Sequence, residues 1–138
     1  MLNTTSGDLV LQKAVYDALA GNVPLGEGIV PVFDTVTPDS PLPYIVIGDT
    51  SAVPNNTKDN VGEYLTTTIH VWSDKKGFKE VKEIRNEVER LLTQGKATLE
   101  GGKKISNAVV VYKDAFTDSD GMKKHGILRL EYWVYDNP

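Results

Sequence analysis

Two histidines are the residues of this chain best suited to proton transfer near neutral pH. They are His70 and His125, and the sequence contains no cysteine. Because imidazole titrates at about pH 6.5, either ring could act as a general base. No serine lies in a nucleophile-elbow sequence, and two histidines are too few for a three-histidine zinc site. No catalytic residue, cofactor or metal ligand is therefore predicted. The alternative to a protein without catalytic chemistry is a small cytosolic α+β enzyme or ligand-binding domain with a site near either histidine.

Three glycine-containing stretches resemble ligand-binding loops but depart from them at a required position. Gly-Lys-Ala-Thr at 95–98 has the ending of a phosphate-binding loop, yet Arg90 stands where that loop needs its first glycine. Gly-Glu-Gly at 26–28 lacks the third glycine of a dinucleotide site. Asp-Ser-Asp-Gly at 118–121 begins like a calcium loop, but Arg129 occupies the position of the bidentate glutamate. Turns and a helix end explain all three stretches better.

Length, composition and charge describe one acidic globular domain over residues 1–138. The chain is 40% apolar and 25% charged, which is typical of globular proteins. No apolar run approaches the roughly 18 residues of a membrane span, and the first residues lack the basic start of a signal peptide, so a soluble cytosolic protein is expected. A formal charge of −4 and a pI near 5.1 disfavour a dedicated nucleic-acid binder.

Residues 8–20 have the periodicity of an amphipathic helix. Their apolar side chains recur at positions 11, 14, 15, 18 and 19, which places them on one helical stripe. Ser6 or Asp8 could cap the start of this helix, and Gly21 is suited to end it.

Residues 77–93 form a second and more strongly amphipathic helix. Its apolar stripe lies at positions 78, 81, 84, 88, 91 and 92, and interleaved Lys, Arg and Glu side chains indicate a solvent-facing outer surface. Ser73 and Asp74 are candidate caps for its start, and Gly95 is a candidate for its end.

Alternating apolar and polar side chains predict three strands in an antiparallel sheet. These strands cover residues 63–72, 108–116 and 125–135, and each has the period of 2 that places alternate side chains on one face. A further short strand at 30–36 lies among prolines, which favours an edge position. The continuous apolar run at 44–48 predicts a strand covered on both faces near the sheet centre.

A tight hairpin turn at 101–102, between residues 97–99 and 104–105, completes the predicted elements. The resulting order is α-β-β-β-α-β-β-β. It predicts an α+β fold in which two helices pack on one face of a mostly antiparallel sheet.

Two polar loops are the predicted sites of contact with partners. They cover residues 51–62 and 117–124, and they are longer or more charged than a turn between strands requires. Their candidate contact residues are Asn55, Asn56, Lys58 and Asp59 in the first loop, and Asp118, Asp120, Lys123 and Lys124 in the second. A regular fold with polar loops and no catalytic constellation favours an interaction protein.

Three stretches of this sequence resemble the tail-completion family of long-tailed bacteriophages, whose members are also called tail-to-head joining or tail-terminator proteins. They are Pro-Leu-Pro-Tyr-Ile-Val-Ile-Gly at 41–48, Thr-Ile-His-Val-Trp-Ser at 68–73 followed by Gly-Phe-Lys-Glu-Val-Lys-Glu-Ile at 77–84, and Asp-Gly at 120–121 followed by His-Gly-Ile-Leu-Arg at 125–129. The resemblance covers residues 9–135 and leaves 1–8 as a flexible leader.

This resemblance implies a structural protein of the virion, made in the cytoplasm of the bacterial host. Such a subunit assembles with itself into a ring, typically a hexamer, at the head-proximal end of the tail. It terminates polymerisation of the tail tube, joins the tail to the neck, or both. The implied partners are the tail-tube protein and a neck or head-completion protein, with DNA passing through the ring without specific binding and with no membrane contact. The family pattern contains no catalytic residue.

The charge distribution is compatible both with an ordinary solvated surface and with head-to-tail contacts in such a ring. Residues 1–70 carry 2 basic and 8 acidic side chains, whereas residues 71–138 carry 13 basic and 11 acidic side chains. An acidic first half facing a more basic second half of the next subunit would help to set its orientation. The net negative charge is also compatible with a lumen that does not bind DNA phosphates.

Overall fold

A computed structural model of the chain describes residues 7–35, 40–56, 58, 61–94, 99 and 103–136. The chain begins with helix α1 (Gly7–Leu19), followed by a small hairpin of β1 (Pro24–Leu25) and β2 (Gly28–Ile29). Four further elements are β3 (Val32–Phe33), β4 (Tyr44–Pro54), β5 (Gly62–Ser73) and helix α2 (Lys79–Thr93). Strands β6 (Lys103–Thr117) and β7 (Lys124–Asp136) complete the described part of the chain.

The main sheet has five strands in the order β3-β4-β5-β7-β6. All neighbouring pairs are antiparallel except β3 with β4, which are parallel. Strands β5 and β7 pair along their whole length, from Gly62 opposite Tyr135 to Ser73 opposite Lys124. The predicted α+β class is therefore confirmed, with a mostly antiparallel sheet.

Both helices pack on the same face of this sheet. The buried side chains of β5 and β7 alternate, and Ile69 lies opposite Leu128 in register. They meet the apolar stripes of α1 and α2, in which Leu11, Val15 and Val88 are fully buried. Helix α2 packs closely on the sheet at Gly126, where a Cβ atom would lie 3.0 Å from Val81 Cγ2. Each fully buried aliphatic side chain contributes about 1.5–3 kcal/mol to folding.

The predicted strands differ from the observed ones in several places. The strand expected at 30–36 is reduced to Val32–Phe33, and the hairpin of β1 and β2 was not predicted. Residues 104–105 and 108–116 belong to one strand, β6, because β-bulges accommodate the breaks in its alternation. The predicted turn at 101–102 and its partner at 97–98 lie outside the described residues. The observed order is α-β-β-β-β-β-α-β-β, which corrects the predicted order.

The prediction that β4 is covered on both faces is wrong. Ile45 and Ile47 are buried on the helix side, but Tyr44 and Val46 on the other side are half-buried. Strand β4 is also second in the sheet, and β5 occupies the centre. The continuous apolar run is explained by a second, aromatic-rich face rather than by a second covering layer.

The predicted caps of the helices are also corrected. Helix α2 begins after Phe78, which makes no side-chain cap hydrogen bond. Ser73 instead donates its hydroxyl to Glu80 Oε1 over 2.7 Å, and the amide of Lys75 donates to Ser73 Oγ. Asp8 lies inside the first turn of α1, and Ser6 lies outside the described residues. Gly21 follows the end of α1 with φ +78°, as its predicted role requires.

Neither of the two described helices is long and apolar enough to cross a membrane.

Tyr132 carries a hydroxyl group that is buried in the core without a hydrogen-bond partner among the described residues. Because burying an unpaired hydroxyl costs about 1–3 kcal/mol, we expect Tyr132→Phe to raise the free energy of unfolding by a similar amount. Urea unfolding followed by circular dichroism measures this difference. Tyr64→Phe, at a ring that is 43% exposed, is the control and should leave stability unchanged. A loss of stability in Tyr132→Phe would contradict the expectation.

Candidate functional site

The face of the sheet opposite the helices carries most of the aromatic side chains and is called the open face. In the described part of the chain, neither helix packs on it, since the buried sheet residues other than Gly62, which Trp133 covers, lie on the helix side. Its side chains are half-buried or exposed and come from four neighbouring strands. The open face comprises Tyr44, Val46, Tyr64, His70, Trp72, Tyr112, Phe116, His125, Ile127, Arg129, Trp133 and Tyr135.

His70 and His125 meet on this open face. In the register of β5 and β7, Trp72 lies opposite His125, so that His70 is diagonal to it. The Nδ1 atom of His70 lies 2.8 Å from Nε2 of His125, which requires one imidazole to donate and the other to accept. Trp72 stacks on the ring of His125 with 3.8 Å between ring centroids, and Phe116 packs at 5.0 Å from the same ring.

The environment of this pair favours neutral imidazoles. Burial lowers the pKa of His70, and the charge of Arg129 lowers it further, although Asp49 acts in the opposite direction. Burial also lowers the pKa of His125, as does the neighbouring His70, while Asp118 opposes the shift. The open groove beside the pair has a volume of about 430 Å³ and is bordered by Asp34, Tyr44 and Trp72. In the described residues, no group of three or more His, Asp or Glu side chains is arranged to hold a metal ion.

The other end of the open face is packed by aromatic rings alone. Trp133 lies between Tyr64, at 5.2 Å, and Tyr135, at 6.4 Å between ring centroids. Its indole covers Gly62, where any Cβ atom would overlap the ring. Between the two aromatic ends, Arg129 donates to Thr68 Oγ1 and lies 5.4 Å from the ring of Tyr112. The open face is therefore divided into two aromatic ends and a polar middle.

The first predicted contact loop is shorter than expected because β4 extends to Pro54. The amide of Asn55 donates to the Gly62 carbonyl over 2.8 Å, and Asn56 Oδ1 accepts from the Gly62 amide over 3.2 Å. Lys58 is exposed, whereas Asp59 lies outside the described residues. Asn55 and Asn56 thus hold the loop closed at its base, and Lys58 is the described candidate that is open to a partner.

The second predicted contact loop is a tight turn in which Asp118 and Asp120 form hydrogen bonds with backbone groups of the same turn. Asp120 Oδ1 accepts from the amides of Met122 and Lys123, and these hydrogen bonds lower the pKa of its carboxyl group. The amide of Asp118 donates to the carbonyl of Lys123 over 2.8 Å. Lys124 is buried and donates to Thr117 Oγ1, so it is not an exposed contact residue. Lys123 keeps an exposed ammonium group at 3.8 Å from Asp120.

The structure places the two loops at opposite ends of the sheet. The first loop precedes Gly62 at the start of β5, and the second precedes Lys124, which pairs with Ser73 at the end of β5. Eleven residue steps along a strand correspond to about 36 Å. The loops therefore do not form one composite site, which the sequence alone could not establish.

Comparison with known proteins identifies the family. Residues 13–135 match the family model described as tail completion protein gp17. The chain belongs to this family of tail completion proteins. It is 35% identical over 127 residues to the tail completion protein gp17 of Bacillus phage SPP1, covering 92% of this chain and 93% of that protein.

Solved structures agree with this assignment. The structure of bacteriophage SPP1 gp17 matches with a TM-score of 0.63 and 31% identity, covering 96% of this chain and 94% of the other. A chain from the virion of a native gene transfer agent particle matches with a TM-score of 0.78, covering 95% and 99% of the two chains. At 22% identity, this second likeness establishes the shared fold.

Family membership decides between the two classes of function predicted from the sequence, a structural interaction protein and a small enzyme. A phage tail completion protein is a structural component of the virion and not an enzyme. The alternative of a small enzyme around His70 or His125 is therefore wrong, although the structure does bring the two rings together. Their contact with each other and with Trp72 is a packing interaction that joins β5 to β7 across the open face.

The histidine pair predicts lower stability at mildly acidic pH. Because the pKa of each imidazole is lowered on folding, the unfolded chain takes up protons below about pH 6.5 that the folded chain does not. The free energy of unfolding is therefore highest above this pH and decreases as the pH falls toward the lowered pKa values. Urea unfolding at several pH values between about 7.5 and 5.5 measures this slope.

The double variant His70→Asn, His125→Gln retains polar groups that cannot titrate, and its stability should depend less on pH in this range. The carboxyl groups of Glu87 and Asp120, whose pKa values are lowered, respond at more acidic pH and do not interfere. An equal slope for the wild type and the double variant would contradict the assignment.

Proposed function

We propose that this tail completion protein forms a ring at the head-proximal end of the phage tail. Six copies form the ring, which terminates polymerisation of the tail tube, joins the tail to the neck of the head, or both. The partners are further copies of the chain, the tail-tube protein and a neck or head-completion protein. Family membership gives the tail as the place of action.

The observation that carries this proposal is the separation of the two polar loops along the strands. A subunit that connects two different structures needs two contact surfaces, and these loops lie about 36 Å apart at opposite ends of the same rigid sheet. If the strands run roughly along the ring axis, one loop faces the tube and the other faces the neck. Long paired strands are a stiff spacer for this purpose, because every residue of β5 from Gly62 to Ser73 pairs with β7.

The net charge supports passage of DNA without specific binding. Each chain has a formal charge of −4, so a ring of six copies carries about −24 in total. Proteins that bind DNA tightly do so mainly by neutralising phosphates with Lys and Arg, and releasing counterions from the duplex. An acidic ring lacks this driving force as a whole, and DNA can slide through it.

Deletion of the gene in its phage should separate the two roles. We expect electron microscopy to show tails of uncontrolled length if the protein terminates the tube, and tails of normal length without heads if it joins them. Complementation with the wild-type gene should restore complete virions. Normal and infectious virions from the deletion phage would contradict both roles.

Charge reversals in the two loops should affect different attachments. Lys58→Glu and Lys123→Glu change exposed side chains at opposite ends of the sheet, and each should reduce the yield of infectious particles while the protein remains folded. Electron microscopy should show defective tubes for one variant and unattached tails for the other. Lys79→Glu, the same charge change on the exposed start of α2, is the control. Identical defects for both loop variants would contradict the two-ended arrangement.

A further inference from the structure

Strand β6 forms one edge of the sheet and exposes several apolar side chains. It is 15 residues long and pairs with β7 alone among the described strands. The exposed fractions are 45% for Val109, 49% for Val111, 44% for Tyr112 and 37% for Phe116, and these four residues are called the edge patch. A long edge strand with exposed apolar side chains is a template for association unless something covers it.

The opposite edge of the sheet has an apolar groove of about 400 Å³. Strand β3 is two residues long, so in the described part of the chain it covers β4 only at Ile45 and Val46. Helix α1 overhangs this edge with Leu9, which is 64% exposed, and with Tyr16, which is 43% exposed. The α1 groove is defined here by Leu9, Gln12, Tyr16, Val32, Phe33 and Ile47.

Acidic groups predominate around the α1 groove, and exposed cations lie beside the edge patch. Asp34 and Lys13 line the α1 groove, and Lys13 pairs with Asp17 over 2.9 Å. Asp8 and Asp49 lie in the adjoining groove along β4, so acidic groups outnumber basic ones there.

Beside the edge patch, Lys104, Lys113 and Arg129 are exposed, and Lys113 retains 48% side-chain exposure although it pairs with Glu89 over 3.1 Å. Asp114 and Glu131 are the acidic neighbours of the patch. Apolar surfaces bordered by opposite charges are complementary in both packing and electrostatics.

We propose that the edge patch of one copy packs into the α1 groove of the next copy, an assignment that rests on the ring-forming function proposed above. The two surfaces cannot meet within one chain, because four inter-strand spacings of about 4.8 Å separate the edges by about 19 Å. The partner is therefore a second copy of this chain. A contact between two different surfaces of identical subunits is heterologous, and it closes into a ring when the rotation between neighbours permits.

Disulfide trapping tests this contact, since the chain contains no cysteine of its own. In the double variant Leu9→Cys, Val111→Cys, the new thiols lie on α1 and on β6 at opposite sides of the sheet, beyond the roughly 7 Å that a disulfide permits between Cα atoms. Bonds can then form only between copies. We expect oxidised tails from the complemented deletion phage to yield a ladder of covalent oligomers that ends at the ring size and disappears on reduction.

Two controls distinguish the contact from random collision. Each single cysteine variant should give dimers at most, and Leu9→Cys, Met122→Cys should give no ladder, although Met122 is 74% exposed. Virions that contain the double variant and are infectious but give no ladder would overturn the proposed contact and leave the ring in place. Tails that lack the protein altogether would overturn the proposed function itself.

A polar substitution provides a second measurement that needs no oxidation. Val111→Asp introduces a charge into the edge patch, and we expect at least a tenfold decrease in the amount of protein incorporated per tail, measured by quantitative immunoblotting. Met122→Asp changes a more exposed side chain outside the patch and should be incorporated like the wild type. Circular dichroism and urea unfolding verify that both variants are folded. Equal incorporation of a folded Val111→Asp variant would overturn the proposal.

Discussion

The structure depends on covering one face of a wide sheet with two short helices. Helices of 13 and 15 residues are about 20 and 22 Å long, and each is about 10 Å wide. Side by side, they match the roughly 19 Å width of five strands, but they cannot also cover the other face. Apart from Ile127, the large aliphatic side chains of β5 and β7 therefore turn toward the helices. The open face must be stabilised by contacts among its own side chains, and rings that stack across strands provide these contacts.

The elements with strong periodicity were predictable because their periodicity comes directly from this one-sided burial. The alternation at 63–72 and 125–135, and the stripe at 77–93, identify β5, β7 and α2 within one or two residues. The run at 44–48 led to a wrong prediction because Tyr44 and Val46 lie half-buried on the open face. A sheet face without a covering layer usually carries polar residues, so an apolar run suggested that both faces were covered. The bulges in β6 interrupt its alternation, and the caps of α2 were misplaced because Ser73 binds the side chain of Glu80 instead.

The candidate site was only partly predictable for a different reason. The sequence identifies His70, His125 and the two polar loops, but their relative positions follow from strand register, which depends on pairing between distant segments. Register brings the histidines to 2.8 Å and separates the loops by the length of the sheet. It also reveals that Asp120 and Lys124 bond within their own turn. The edge patch and the α1 groove were not predicted. Which strands lie at the edges of a sheet depends on how distant segments pair, and the sequence does not show this pairing.

The two sets of surfaces point in perpendicular directions, and this arrangement suits a ring subunit. The polar loops lie at the ends of the strands, whereas the edge patch and the α1 groove lie on opposite sides across the strands. In the proposed assembly, contacts along one direction hold neighbouring subunits while contacts along the other remain available to the tube and the neck. A single sheet connects all four surfaces through paired strands, so a neighbour that docks at one edge also fixes the orientation of both loops. In this arrangement, assembly of the ring would itself preorganise the contacts with its axial partners.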